Sequence, residues 1–418
     1  MLLKNGTLVN GEKKDILIID GKIAEIADYI DLERAKKLSL EKENKELEIL
    51  DLEDKYVMPG IIDAHTHMRD PGFTQKEDLE TGSKACAKGG ITTFADMPNT
   101  DPATITLKDL ELKRKIASEK CVVNYAFHFG GSKDDNSSEI KKVKGVLSTK
   151  VFLNVSTGKM LVEDNEVLKK IVESSNFLTV HAENEMIEKA LEYNKDYGKG
   201  LYICHVSSRE EMEKIQKAKI DKLLNNEKHP VYAEVTPHHL FLDIDMREST
   251  KEKELLYRMK PELKTKEDRE YLWKSINDGS VDAIGTDHAP HLLSEKLEKV
   301  TFGMPGVETS LGLMLTAYNQ GKVTLEKIQE LMCENPAKIF NIKNKGKLKV
   351  GYDADIIVVD LEKEWVVEKK ELLSKCAWSP YEDWKLKGKN EITIVNGNVV
   401  FLNNKINFNR GKEVEINE

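Results

Sequence analysis

Met58-Pro59-Gly60-Ile61-Ile62-Asp63-Ala64-His65-Thr66-His67-Met68-Arg69-Asp70-Pro71-Gly72 is the stretch whose reading decides the fold. An apolar run opens it, two histidines two residues apart follow, and Asp-Pro-Gly closes it with a turn signal. On a β-strand alternate residues point to one side, so His65 and His67 present two imidazoles to the same space. On a helix they would splay apart. Imidazole pairs of this kind suit zinc, and the question becomes what lies beside the strand that carries them.

Downstream, apolar strand-like runs alternate with charged stretches of helical periodicity. Strands are expected at 58–65, 91–96, 122–127, 145–153, 177–181, 201–205, 231–235 and 281–286. Helices are expected between them at 76–88, 107–119, 165–174, 209–219 and 266–277, where apolar residues recur every three or four positions. Eight such strands predict an α/β chain with a (β/α)8 TIM barrel over 56–346. No G-x-G-x-x-G follows an early strand, which speaks against a doubly wound dinucleotide fold.

Outside the barrel the style changes. Residues 1–55 hold short strands broken by Asn10-Gly11 and Asp20-Gly21, and 392–401 reads as another hairpin. Both ends together, 1–55 and 347–418, are expected to form one small β-sandwich domain. The charged run 31–55 reads as a solvated surface helix or loop.

Composition narrows the function. With 418 residues the chain can bury a large core, and a net charge of -9 argues against nucleic acid or an anionic membrane as partner. Cys86, Cys121, Cys204, Cys333 and Cys376 are odd in number and never form C-x-x-C, so neither a disulfide framework nor a cysteine zinc site is expected. The N-terminus lacks the apolar core of a signal peptide, and no apolar run approaches the roughly 18 residues of a membrane span. A cytoplasmic protein acting on a small molecule is the expectation.

In barrels of this kind catalysis sits at the C-terminal ends of the strands. His65 and His67 end the first expected strand, Lys150 lies within the fourth, His181 ends the fifth, His205 ends the sixth and Asp287 follows the eighth. Recurrence of such groups around one barrel mouth points to a metal site.

These residues carry a resemblance. P-G-I-I-D-A-H-T-H-M-R-D-P-G, T-T-F-A-D-M-P-N-T at 92–100, V-T-P-H-H-L at 235–240, T-D-H-A-P-H at 286–291, G-M-P-G-V-E-T at 303–309 and G-Y-D-A-D at 351–355 resemble the successive signatures of the cyclic amidohydrolases, and among them the dihydroorotases. The resemblance covers nearly the whole chain. It implies two Zn2+, one held by His65, His67 and Asp287 and the other by His181 and His205. Lys150, carboxylated by CO2, would bridge them as the anion that neutral imidazoles leave lacking. Some relatives use an aspartate slightly further on, but 154–158 offers no carboxylate.

The resemblance further implies the reversible cyclisation of N-carbamoyl-L-aspartate to L-dihydroorotate in pyrimidine biosynthesis, by a zinc-bridging hydroxide with Asp287 as catalytic acid and base. Arg69, Asn99, His291 and Gly306 are the implied substrate-binding residues. His128, His238, His239 and His288 are expected to support the site, and His229 to be a loop residue. In one place the chain departs from the family. Where many dihydroorotases carry an asparagine and a second arginine, it reads Arg258-Met259-Lys260-Pro261-Glu262-Leu263-Lys264, leaving open whether Lys260 takes over a substrate contact. The polar segment 292–302 is a candidate lid. Rival readings are an allantoinase or dihydropyrimidinase and, from another class, an inactive scaffold for aspartate transcarbamoylase. A homodimer and association with that enzyme are both open as partners.

Overall fold

The computed structural model describes residues 1–155, 160–225 and 228–417, so residues 156–158 of the carboxylate-free stretch lie outside the described residues. The barrel strands are Ile61–Thr66, Ile91–Asp96, Asn124–Phe127, Thr149–Phe152, Leu178–His181, Leu201–Ile203, Val231–Val235 and Ala283–Ile284. Every pairing among them is parallel. Parallel strands are covered on both faces and read as continuous apolar runs, and each residue of Ile61–Thr66 and Leu178–His181 is buried. Side chains and single bonds close the ladder at its two seams. Asp63 accepts from the Thr286 amide at 3.1 Å and from its hydroxyl at 2.5 Å, while Leu147 donates its amide to Phe127 at 2.9 Å.

Two strands stop short of their expected ends, and the reason bears on function. The sixth ends at Ile203 and the eighth at Ile284, because His205 and Asp287 leave the ladder with φ of +37° and +47°. Arg69 does the same at +62°. Non-glycine residues hold left-handed backbone at a cost of about 1–3 kcal/mol, and such strain gathers at functional sites.

The helices Asn165–Ser174 and Lys266–Asn277 match expectation, and Arg209–Asn225 runs longer. Glu185–Tyr197 and Ser310–Asn319 were not expected. Ser310–Asn319 is apolar on nearly every side because it lies between the barrel and the terminal sheet. A Cβ on its Gly312 would stand 2.6 Å from the Trp365 ring, so only glycine allows this approach. Among the described residues no helix is long and apolar enough to cross a membrane.

Both chain ends contribute to one nine-stranded mixed sheet, in which Tyr56–Pro59 pairs in parallel with Leu2–Leu8 and antiparallel with Ile356–Val366. Leu3, Ile16 and Ile23 share an apolar cluster with Ile356, Val358 and Ile394, so the sheet curls around its own core. The Asp20-Gly21 and Asn396-Gly397 turns have positive φ at both residues, as tight hairpins demand. The charged run 31–55 forms the helix Leu32–Glu43, capped by Asp31, and the strand Ile49–Asp51.

The G-Y-D-A-D signature acts as a fastener. Asp355 pairs with Lys345 at 2.5 Å, accepts the Asn396 amide at 2.7 Å and accepts from Asn124 of the third barrel strand at 3.0 Å, and Asp355, Lys345 and Asn124 are all buried. Removing one partner of a buried pair strands the other charge. Lys345→Met is therefore expected to lower stability by about 3–5 kcal/mol, read as a reduced urea midpoint with unchanged slope.

Candidate active site

The polar strand ends converge on one small pocket lined by His65, His67, Arg69, Asn99, Lys150, Phe152, His181, His205, Lys260, Asp287, Ala289, Phe302 and Gly303. His67 Nε2 lies 3.0 Å and His65 Nε2 3.3 Å from Asp287 Oδ1, and these three atoms form one potential metal-ligand group. The remaining ring nitrogens fix the tautomers. His65 Nδ1 donates to Glu234 Oε1 at 2.7 Å and His67 Nδ1 to Asn99 Oδ1 at 2.7 Å, which leaves both Nε2 lone pairs facing Asp287.

Electrostatics keep Asp287 and His67 in ligating form. Burial would push the Asp287 carboxyl up, but His65 and His67 outweigh it and hold it well below its ordinary value. Burial pushes His67 down to about 4, with Asp287 resisting. His65 goes the other way: burial would lower it, but Glu234, Cys204 and Asp287 together raise it well above its ordinary value, so a metal ion at its Nε2 would have to displace a proton.

On the opposite side His181 Nδ1 and His205 Nε2 approach to 2.8 Å, while His205 Nδ1 is buried with no hydrogen-bond partner. Two imidazole nitrogens this close share a proton in the protein alone, and a cation would take both lone pairs. Lys150 lines the same pocket, fully buried, donating to the Cys204 sulfur at 3.0 Å and facing the Phe152 ring at 5.1 Å. Among the described residues no carboxylate pairs with Lys150. An uncompensated ammonium is costly to bury, and conversion to a carbamate would remove that charge. The donor set thus fits a metal centre: His65, His67 and Asp287 form one potential ligand group, and His181, His205 and Lys150 line the same pocket.

Arg69 is buried beside this cluster, its Nε donating to the Pro290 carbonyl at 3.1 Å. Burial lowers its guanidinium to about 10, which leaves it charged at neutral pH. His291 Nε2 donates to the Phe302 carbonyl at 3.0 Å while its Nδ1 accepts from Lys76 at 3.1 Å. Burial first, then Arg69, pushes His291 down to about 2, so the ring is neutral. Met68 and Arg69 are set in place from below by Asp96, which accepts the Met68 amide at 2.6 Å and pairs with the fully buried Lys113 at 2.6 Å.

The profile of the amidohydrolase family matches residues 56–400. The chain belongs to the amidohydrolase family. Within it, the dihydroorotase of Methanosphaera stadtmanae is 34% identical, covering 97% of each chain. That of Pyrococcus abyssi is 36% identical, covering 97% of this chain and 94% of its own. Among solved structures, the L-hydantoinase of Arthrobacter aurescens superposes with a TM-score of 0.89 at 28% identity over 99% of both chains.

Not every anticipated residue of this amidohydrolase faces the pocket. Gly306 and His291 are not among its lining residues, and the Gly306 amide donates to His288 Nδ1 at 3.1 Å, whereas Asn99 lines the pocket and orients His67. His128 bonds the Ala64 carbonyl at 2.9 Å and Ser148 at 2.7 Å beneath the site, and His239 bonds the Pro261 carbonyl at 3.1 Å. The segment 292–302 contains the helix Leu293–Glu298 and brings Phe302 to the pocket.

Glu234 is the functional residue that sequence reasoning missed. Its Oε1 takes His65 Nδ1 and the His205 amide at 3.0 Å, and its Oε2 takes the Tyr202 hydroxyl at 2.8 Å. One signal was present: a carboxylate inside the apolar run Val231-Tyr232-Ala233-Glu234-Val235. Glu234→Gln is expected to weaken metal affinity about 10–100-fold, measured by competition with a chelator.

Proposed function

We propose that the chain is a dihydroorotase, interconverting N-carbamoyl-L-aspartate and L-dihydroorotate with two Zn2+ bridged by carboxylated Lys150. The observation that carries the reading is Arg69, a buried guanidinium opening onto the same pocket as the His65, His67 and Asp287 group. A metal held by His65, His67 and Asp287 would suit hydrolysis of a ring amide, and a carboxylate on that ring is what a guanidinium fork selects. The full-length relatives named dihydroorotase point the same way.

When bound, the metals supply Lewis-acid polarisation of the amide carbonyl and lower the pKa of a water. Asp287, held ionised, takes the proton released as the carbonyl is attacked and passes it to the departing ring nitrogen. In the direction of ring closure the path runs backward: Asp287 takes the proton from the attacking nitrogen as the C–N bond forms and gives it to the oxygen that leaves as the C–O bond breaks. Arg69 fixes the substrate carboxylate throughout, and Phe302 helps to cover the pocket from solvent.

The test is substrate loss followed in the ultraviolet for dihydroorotate against hydantoin, dihydrouracil and allantoin. Dihydroorotate is expected to be the strongly preferred substrate; preference for an uncharged ring would transfer the chain to the hydantoinase reading that its structural neighbours raise. The same proposal carries a cytoplasmic location and association as a homodimer or with aspartate transcarbamoylase, checked by sedimentation of the purified protein alone and mixed with that enzyme.

A further inference from the structure

Lys260 lines the pocket together with Arg69 and the metal-ligand group, on a loop held from both sides. Before it, the Arg258 carbonyl accepts from Lys296 Nζ at 2.7 Å and from the Gly303 amide at 3.0 Å. After it, the Pro261 carbonyl accepts from His239 Nε2 at 3.1 Å, and His239 is fixed through Nδ1 to the Thr236 hydroxyl at 2.8 Å. The backbone is thereby committed to presenting this side chain at the pocket mouth.

The ammonium itself is held loosely. It lies 5.2 Å from the centre of the Phe302 ring and pairs at 3.1 Å with Glu262. Glu262 has a 45% exposed side chain and is shared with Arg247 at 3.2 Å. An ion pair so exposed contributes little, so Lys260 exchanges Glu262 for a better-desolvated anion at little cost.

We propose that Lys260 is a substrate-binding residue that favours the dianionic, ring-opened ligand over the monoanionic ring. Three basic residues line the pocket; Lys150 is the proposed carbamate, which leaves Arg69 and Lys260 as its cations. On the proposed reaction, on which this inference rests, the ring carries one carboxylate and the open chain two. Arg69 serves the carboxylate common to both. Coulomb energy scales with ligand charge, so whatever factor Lys260 contributes for a monoanion is squared for a dianion; about threefold becomes about tenfold.

The experiment compares succinate with succinamate, equal in size and different by one charge, binding to the metal-loaded protein by calorimetry. Lys260→Met is expected to weaken succinate about tenfold and succinamate about threefold, with Lys260→Arg restoring most of the loss. In turnover the same variant is expected to raise KM more for N-carbamoyl-L-aspartate than for dihydroorotate. Its kcat/KM falls by one common factor in both directions, because the equilibrium constant belongs to the reaction. Equal losses for the two probes, no loss, or wild-type protein that binds succinate no better than succinamate would each overturn the assignment. Wild-type protein without dihydroorotate turnover defeats the proposed reaction instead, and the two probes still decide the role of Lys260.

Discussion

Arg69→Met is expected to lower kcat/KM for dihydroorotate by about 10³-fold while leaving metal content unchanged. The size follows from burial. Arg69 is 4% exposed, so its pairing with a carboxylate takes place out of water, where truncating one partner of a hydrogen-bonded charge pair costs about 2–5 kcal/mol. Metal content is spared because Arg69 donates to the Pro290 carbonyl and touches none of the proposed ligands through a hydrogen bond among the described residues. Arg69→Lys is expected to recover only a small part, since an ammonium cannot form the two-pronged contact. Loss of metal in Arg69→Met would show that the side chain supports the metal group rather than the substrate.

Lys150→Ala is expected to have the larger effect, with metal occupancy and turnover both falling to background. The position lines the same pocket as the other proposed ligands, and a carbamate there would add a carboxylate to a set that is otherwise four imidazoles and Asp287. Short carboxylic acids such as acetate or propionate are expected to restore part of both, because the vacated space lets a free carboxylate stand where the carbamate would. Unchanged metal binding and rate in Lys150→Ala would exclude a bridging role.

The strand sequence of the barrel was legible because parallel strands buried on both faces leave continuous apolar runs, and the site because polar groups interrupt those runs at one end only. What stayed hidden depends on contacts across long stretches of chain. Glu234 lies 169 residues from His65, whose tautomer it sets. Asn99 reads as a turn residue after Met97-Pro98, and only the fold shows its carbonyl oxygen against His67 Nδ1. The expected strand ends overran at His205 and Asp287 because apolar periodicity carries no sign of the left-handed backbone that turns both residues out of the ladder and into the pocket. Gly306 followed from resemblance alone, and its amide is engaged by His288.

The most direct test of the account pairs a dihydroorotate assay with metal analysis on the same preparation of purified protein. The account predicts about two zinc ions per chain and rapid loss of dihydroorotate that disappears on chelation and returns with zinc and bicarbonate. Protein that carries zinc in that ratio yet leaves dihydroorotate untouched in both directions would contradict it.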